Sequence, residues 1–504
     1  MLEEIVKQIP LSLTTQALLI GITVGVVTYY TFGKRKYKLP PGPWAPPLLG
    51  NIGAIMSNTP LYKLLLDWRQ DYGPVITIYF GPLRCIMLNS GDAVNEAYVK
   101  KAAEFAGRYQ IWSMASFSDD YRNIVFSDIS PAWKYLRKIA HQGLRQYLSG
   151  SALEENLFET SSKTMNKFRE ENGKPINIYK YINLLVFNLL NGVCFNKSFE
   201  IDDKLFLELV ESLNSVNDDI GKGFLEDIIP PLRKYPTAKF KKIKKNFGVI
   251  ETFIAEEFAK HQELYSEGNM KDFTDFLIHG KKQAALEDPE INSIVTDRHL
   301  IQAVTDIFGA GVDTTRQTIT WTILLLVTHP EIQKKVQDEL DEVFDAGQPV
   351  TVSSREKLPY TEAVLHESMR ICPVVPIGLP HKTRCDVTLG DYEIPEGTMV
   401  MTNHWALHHD PDVWKDPEVF RPERFLDEDG KLAPKTMSWL PFSAGRRNCL
   451  GETIARPEMH LMLALLLRNF TFRCPEGETI NLIPVPALTF SPPMNYVVAE
   501  ERTN

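Results

Sequence analysis

The chain has 504 residues, and 55 Lys+Arg against 64 Asp+Glu give a formal net charge of −9. That balance speaks against nucleic acid as the main partner, because neutralising phosphates takes a basic surface. Hydrophobic residues make up 44% and charged ones 24%, an ordinary globular composition that excludes extended disorder, collagen-like repeats and a multi-span membrane protein.

In chain order, Leu11 to Phe32 is the first informative segment: 22 residues without a charge, about 33 Å as a helix and enough for a hydrocarbon layer of roughly 30 Å. Lys34, Arg35, Lys36 and Lys38 follow it, whereas Glu3, Glu4 and Lys7 precede it. A cleaved signal peptide would want the basic cluster on the other side, a shorter apolar core and a small-x-small cleavage site. The flanks predict an uncleaved single-pass anchor with the bulk of the chain in the cytosol. PPGPWAPP then places five prolines in eight residues, which cannot continue a helix. The expected division is an anchor over 1–33, a basic and proline-rich hinge over 34–47, and one large domain over 48–504.

Within that domain helical periodicity dominates. Val75–Phe80 and Arg84–Leu88, separated by Gly81-Pro82, read as a β-hairpin, and short strand-like pieces recur near 385–402 and 480–498. The class is mainly α with a smaller β portion. A helix is expected after Pro131, with Trp133 and Arg137 on one stripe and Lys134, Lys138 and Arg145 on the neighbouring one. Residues 233–245 hold seven basic residues and no acid. Phe240, Ile243, Phe247 and Ile250 follow a helical stripe, so this stretch suits either a membrane surface or solvent. Ile301 to Val327 is a long apolar run interrupted by Gly309 and Gly311, each costing roughly 1 kcal/mol against alanine in a helix interior. His366-Glu367-Ser368-Met369-Arg370 invites a zinc-peptidase reading, but the second histidine of HExxH is Arg370 here. His404, His408 and His409 sit beside Pro411 in what reads as a turn.

Six scattered cysteines with no CxxC pair suit neither a disulfide framework nor a zinc ribbon. One is set apart: Cys449, in Phe442-Ser443-Ala444-Gly445-Arg446-Arg447-Asn448-Cys449-Leu450-Gly451. Gly445 permits a tight turn, Gly451 a close approach to something flat, and Arg447 can hold an anionic group of the same ligand. Neighbouring backbone N–H groups and cations favour thiolate over thiol. A thiolate so placed is an axial ligand for haem iron, whose propionates would take the arginine.

With this FxxGxRxCxG pattern the chain resembles the cytochrome P450 family of haem-thiolate monooxygenases. Ala310-Gly311-Val312-Asp313-Thr314-Thr315, Glu367-Ser368-Met369-Arg370 with Pro422-Glu423-Arg424-Phe425, and Trp133-Lys134-Tyr135-Leu136-Arg137 occur in the family's order. The resemblance implies the P450 fold, haem b held by Cys449, and Trp133, Arg137, His381 and Arg447 on its propionates. Asp313 and Thr314 would relay protons, and the glycines beside them would make room for dioxygen. Glu367, Arg370 and Arg424 would form a structural network. Electrons would come from NADPH through a flavoprotein reductase, with cytochrome b5 as a second donor, and the basic stripe beside Trp133 would meet that partner. Substrate walls would come from 109–126, 205–230, Ala310, Val374–Leu379 and Leu488–Phe490, which suits an apolar, ring-sized substrate entering from membrane lipid. The wording of the last third is most similar to the steroid 17α-hydroxylase/17,20-lyase branch, with the xenobiotic- and aromatic-hydrocarbon-oxidising members close behind. Two features depart from the family's commonest wording: Pro457 inside the helix after the cysteine, and Ser443 where glycine is usual. A haem-thiolate isomerase or dehydratase, or a haem-binding sensor without turnover, would share Cys449 but have no need of Asp313 and Thr314.

Overall fold

The helix expected after Pro131 forms in the structure, a computed structural model. It describes residues 37–57, 59–345 and 348–502, with Ser12, Ile20, Gly21, Val24 and Gly25. The expected anchor over 11–32 lies almost entirely outside these residues. Helix α1 (Leu61–Tyr72) leads into strands β1 (Val75–Phe80) and β2 (Leu83–Leu88), which pair antiparallel from Val75↔Leu88 to Phe80↔Leu83. β3 (Gly107–Arg108) follows. Helix α2 (Pro131–Ser149) begins at the proline, and the Ser130 side chain caps it by accepting from the Trp133 N–H.

The core is built on α3 (Ala152–Glu170), α4 (Ile178–Phe195) and, after α5 (Lys204–Gly221), α6 (Ala238–Leu264) and α7 (Phe273–Glu287), the long α8 (Asp297–Thr328). Thr296 and His299 close a capping box at its start. Its 32 residues run about 48 Å at 1.5 Å each, enough to cross the whole domain. Helix α4 is long and apolar enough to span a membrane, yet 89% of it is buried inside the protein; it packs on α8 as a core helix. They pack tightly at Gly311, where a Cβ would stand 2.7 Å from Leu190 Cδ1.

Helices α9 (Pro330–Val343) and α10 (Pro359–Ile371) continue the core, and β4 (His381–Lys382) and β5 (Met399–Thr402) complete a five-stranded sheet in the order β1-β2-β5-β4-β3. The final helix, α11 (Glu452–Asn469), stays continuous through Pro457, so the missing N–H is absorbed without a break. The proline-rich run is tied to this sheet: Thr77 donates to Pro41 O through its N–H and to Pro40 O through its hydroxyl, both at 2.7 Å.

The Glu367 network takes the form the family resemblance implied. Glu367 and Arg370 are fully buried and paired at 2.7 Å, and Arg424 Nε reaches Glu367 Oε1 at 2.9 Å. The stripe on α6 is resolved differently from a membrane helix. Phe240, Ile243 and Ile250 are buried, the first two against Met114, Phe117 and Phe224, so the apolar face already has its cover and only the lysines remain outside.

Candidate active site

Between β5 and α11 the chain makes a tight sequence of turns. Ser443 lies at φ 60° and Gly445 at φ 74°, and a Cβ on Gly445 would stand 2.0 Å from Tyr98 O. The turn closes when the Cys449 N–H donates to Phe442 O at 2.9 Å, and α11 starts three residues later. Cys449 is therefore enclosed by protein, and yet its side chain is accessible. Ala310 is also exposed, in mid-α8 between buried Phe308 and Val312. Accessible side chains this deep border an interior cleft. Burial raises the Cys449 thiol above its usual pKa and Glu452 adds to this, while N–H groups of Gly451 and Glu452 and the Arg137 guanidinium work the other way. The expectation that the surroundings alone favour thiolate is thus reversed; a coordinated metal is what deprotonates a thiol outright.

Around this turn the fold gathers cations without gathering acids to match. Arg447 is buried, donates through Nε to Ala106 O at 2.9 Å, and leaves both terminal nitrogens without a hydrogen-bond partner. Its nearest carboxylate, Asp128, is 3.9 Å away. Arg108 of β3 is buried beside it, with Nη1 on Pro380 O at 3.2 Å and Nε unpartnered. Burial pulls Arg108 down to about 10 and Arg447 down to about 9. His381 donates through Nδ1–H to Phe105 O (2.9 Å) and stacks on Tyr98. Burial and the Arg108 charge hold its imidazole far below the ordinary value. Arg137 binds Asn448 O at 2.8 Å and Oδ1 at 2.9 Å. Trp133 spends its indole N–H on Ile124 O (2.9 Å) and offers its ring instead, 4.2 Å beneath the Arg447 guanidinium.

Unmatched buried guanidinium N–H groups cost at least 1–3 kcal/mol each, a debt that an anionic ligand removes. The donor set fits haem: a thiol opening on an interior cleft, and a nest of orphaned cations for two carboxylates. The structure brings together Trp133, Arg137, His381 and Arg447, and adds Arg108, which sequence reasoning missed. Its only local signal was an arginine closing the apolar run Phe105-Ala106-Gly107.

The α8 side is less simple than its wording. Thr314 donates its hydroxyl to Ala310 O at 2.8 Å. Asp313 is buried and turned to Arg316 and Thr489, with Gln317 at 3.5 Å; no hydrogen bond joins it to Thr314. Gly311 makes room for Leu190, whereas beside Gly309 a Cβ would meet nothing within 4 Å, so of the two only Gly309 leaves open space. One turn earlier stands a second missed residue. Buried pressure raises Asp306 to about 7 even though it accepts from Asn123 Nδ2 (2.8 Å), Ile124 N (2.6 Å) and Val125 N (3.1 Å). The 109–126 wall is thereby bolted to α8. Phe490 N donates to Val374 O at 2.8 Å, uniting two other expected walls.

A zinc site does not form at the histidines weighed for it. His404 Nδ1 bonds Val375 O, His408 Nε2 accepts from the Leu440 N–H, and His409 Nδ1 bonds Trp405 O. His366 faces Glu362 rather than a second histidine in its own motif.

Comparison with known proteins agrees with this geometry. The Cytochrome P450 family model matches residues 40–498. A cytochrome P450 1A1 from Cavia porcellus is 34% identical over 90% of this chain and 89% of its own length. A steroid 17-alpha-hydroxylase/17,20 lyase from Squalus acanthias is 32% identical over 93% of each. A solved zebra fish cytochrome P450 with progesterone superposes with a TM-score of 0.80 at 30% identity, covering 88% of this chain and all of that one. The sheet, the long α8 and the cysteine turn are thus a shared architecture, and the chain belongs to the cytochrome P450 family of haem-thiolate monooxygenases.

Proposed function

We propose that this monooxygenase hydroxylates an apolar, fused-ring substrate of the steroid class: RH + O2 + two electrons + two protons gives ROH + water. The observation that carries the site assignment is the accessible Cys449 thiol beside two buried, unmatched arginines. Cys449 holds the iron, and the bound haem supplies oxygen activation with thiolate electron donation. Arg108, Arg137, Arg447 and His381 hold the propionates; Trp133 supports the guanidiniums through its ring. Thr314 hands protons into the cleft, and Asp313 replenishes them after leaving its ion pair with Arg316.

Steroid chemistry is favoured by the aromatic wall of Phe117, Phe224 and Phe240, whose ring centroids lie 5.4–5.9 Å apart, and by relatives of that activity. NADPH-derived electrons arrive from a flavoprotein reductase, with cytochrome b5 as a second donor, at the exposed face of α2. Lys134, Lys138 and Arg145 are exposed there and make no ion pair among the described residues, which suits an acidic partner. The division into a 1–33 anchor, 34–47 hinge and 48–504 catalytic domain, in the endoplasmic reticulum membrane, completes the reading.

The test is the dithionite-reduced absorption spectrum under carbon monoxide, parent beside Cys449→Ser. The red-shifted Soret band of thiolate-ligated haem is expected in the parent and not in the variant. Progesterone should then shift the ferric Soret band at lower concentration than a planar aromatic hydrocarbon. A Soret shift with the hydrocarbon alone moves the substrate class, and a parent without the red-shifted band overturns the assignment.

A further inference from the structure

Arg456 is a residue that neither the motifs nor the site geometry above puts to use. It stands one turn into α11, its side chain 11% exposed, and its contacts are unusually complete for a charged group near a helix start. Nε donates to Glu452 Oε1 at 2.9 Å. The guanidinium carbon sits 5.0 Å from the Trp439 ring centroid and 4.9 Å from that of Phe442, both within cation–π range. Nη1 lies 3.1 Å from His366 Nε2, and His366 in turn lies 3.1 Å from Glu362. Burial lowers His366 to about 4, so the imidazole is neutral and the charge at this end belongs to Arg456. Glu362 is saturated by Arg355 and His460, which fixes the far side of the arrangement.

What Arg456 holds is informative. Glu452 is the first residue of α11, three positions after Cys449, and its negative charge works against a thiolate at Cys449. Phe442 is the residue whose carbonyl closes the cysteine turn. Glu452 stands three residues beyond a metal ligand and its pair with Arg456 is partly shielded from water, so the pair acts through a lower dielectric than at a free surface; groups behind the first ligand tune a metal's potential.

We propose that Arg456 and Glu452 form a charge pair that sets the reduction potential at Cys449, with Arg456 as a positioning residue that neutralises Glu452 and seats Phe442. The proposal rests on Cys449 being the haem ligand. The ferric state carries one more positive charge than the ferrous state, so negative charge nearby favours the ferric one. Arg456→Gln leaves Glu452 unpaired and is expected to lower the midpoint potential. Glu452→Gln leaves Arg456 unpaired and is expected to raise it. The double variant is expected to return close to the parent.

The experiment is spectroelectrochemical titration of the full-length holoenzyme and the three variants, with the reduced carbon monoxide spectrum recorded for each. Opposite shifts with cancellation in the double variant support the pair. Potentials that stay at the parental value, or that move in the same direction in both single variants, overturn it. Glu452→Gln is the safeguard against misfolding, because Glu452 is 31% exposed and its amide is isosteric. A parent lacking the red-shifted band sinks the haem-thiolate reading itself, an outcome distinct from a parent that has it and variants that do not shift.

Discussion

Glu458 sits in the middle of α11, 1% exposed, with Oε1 left without a hydrogen-bond partner. Burial raises its carboxyl to about 8, so it is neutral in the fold at pH 7. The unfolded chain releases the same proton near the ordinary Glu value of about 4.3. Between those two values the native state binds more protons than the unfolded one, and stability falls as pH rises. Glu458→Gln removes that slope. Its advantage over the parent, read as the urea midpoint, should grow by on the order of 2–4 kcal/mol from pH 5 to pH 8; a constant offset would show that the carboxyl is not held protonated. Ser443 presents a different residue-scale penalty. Its φ of 60° is a left-handed conformation that costs an L side chain roughly 1–2 kcal/mol, and glycine none. Ser443→Gly should therefore stabilise the protein by about 0.5–1 kcal/mol, the gain being trimmed by the freer unfolded chain. Arg108→Leu tests the cation nest: haem retention, read as the Soret-to-protein absorbance ratio, should fall several-fold while the helical signal is kept.

At the scale of elements, the segment 113–128 is held under strain. Asp119, Asp120 and Tyr121 all have φ between 44° and 59°, three successive left-handed residues where one is already uncommon. Compensation comes from fixed partners at both ends. Asp227 accepts from Ser113 N and Oγ at 2.8 Å, and Asp306 takes the three donors at 123–125. Hydrogen bonds to a charged acceptor are worth about 1.5–3 kcal/mol, and 1.4 kcal/mol is tenfold in an opening equilibrium. In Asp306→Asn the amide would point donors at donors, so hydrogen exchange at Ile124 and Val125 should quicken roughly ten- to hundredfold, with KM rising more than kcat falls; unchanged protection would remove Asp306 from this role. This clamp also shows where sequence reading stops. Helix α2 was legible because Pro131 is a local signal, and α8 because its apolar run is long. The clamp joins residues more than 180 positions apart, and Arg108 meets Pro380 across 272, so no window of sequence contains either pair. The α6 stripe was visible as a stripe, but its cover was not. Phe117 and Phe224, supplied from elsewhere, bury it inside the protein.

For the whole molecule, that outcome leaves the exposed apolar surface elsewhere. The exposed large apolar side chains include Trp44 (82%), Met56 (74%), Leu48, Leu49, Leu225, Ile229 and Tyr235. They belong to two segments that meet at Gly81, whose missing Cβ position lies 3.3 Å from Ile228 and 3.4 Å from Ile52. One segment follows directly on the proline-rich run, which is tied to β1 by Thr77. An exposed apolar area of this kind suits the interfacial layer of a membrane, and it includes Leu225, Ile229 and Tyr235. The α6 lysines, by contrast, have no apolar face left to insert. A chain beginning at residue 37 should therefore still partition onto phosphatidylcholine vesicles in flotation, because the patch needs no anionic lipid. Replacing Leu49, Met56 and Ile229 together by Asp should abolish that binding, whereas replacing Lys241, Lys242 and Lys245 by Gln should leave it within twofold. Loss of binding through the lysine variant alone would return the contact to α6, and with it the route by which an apolar substrate enters.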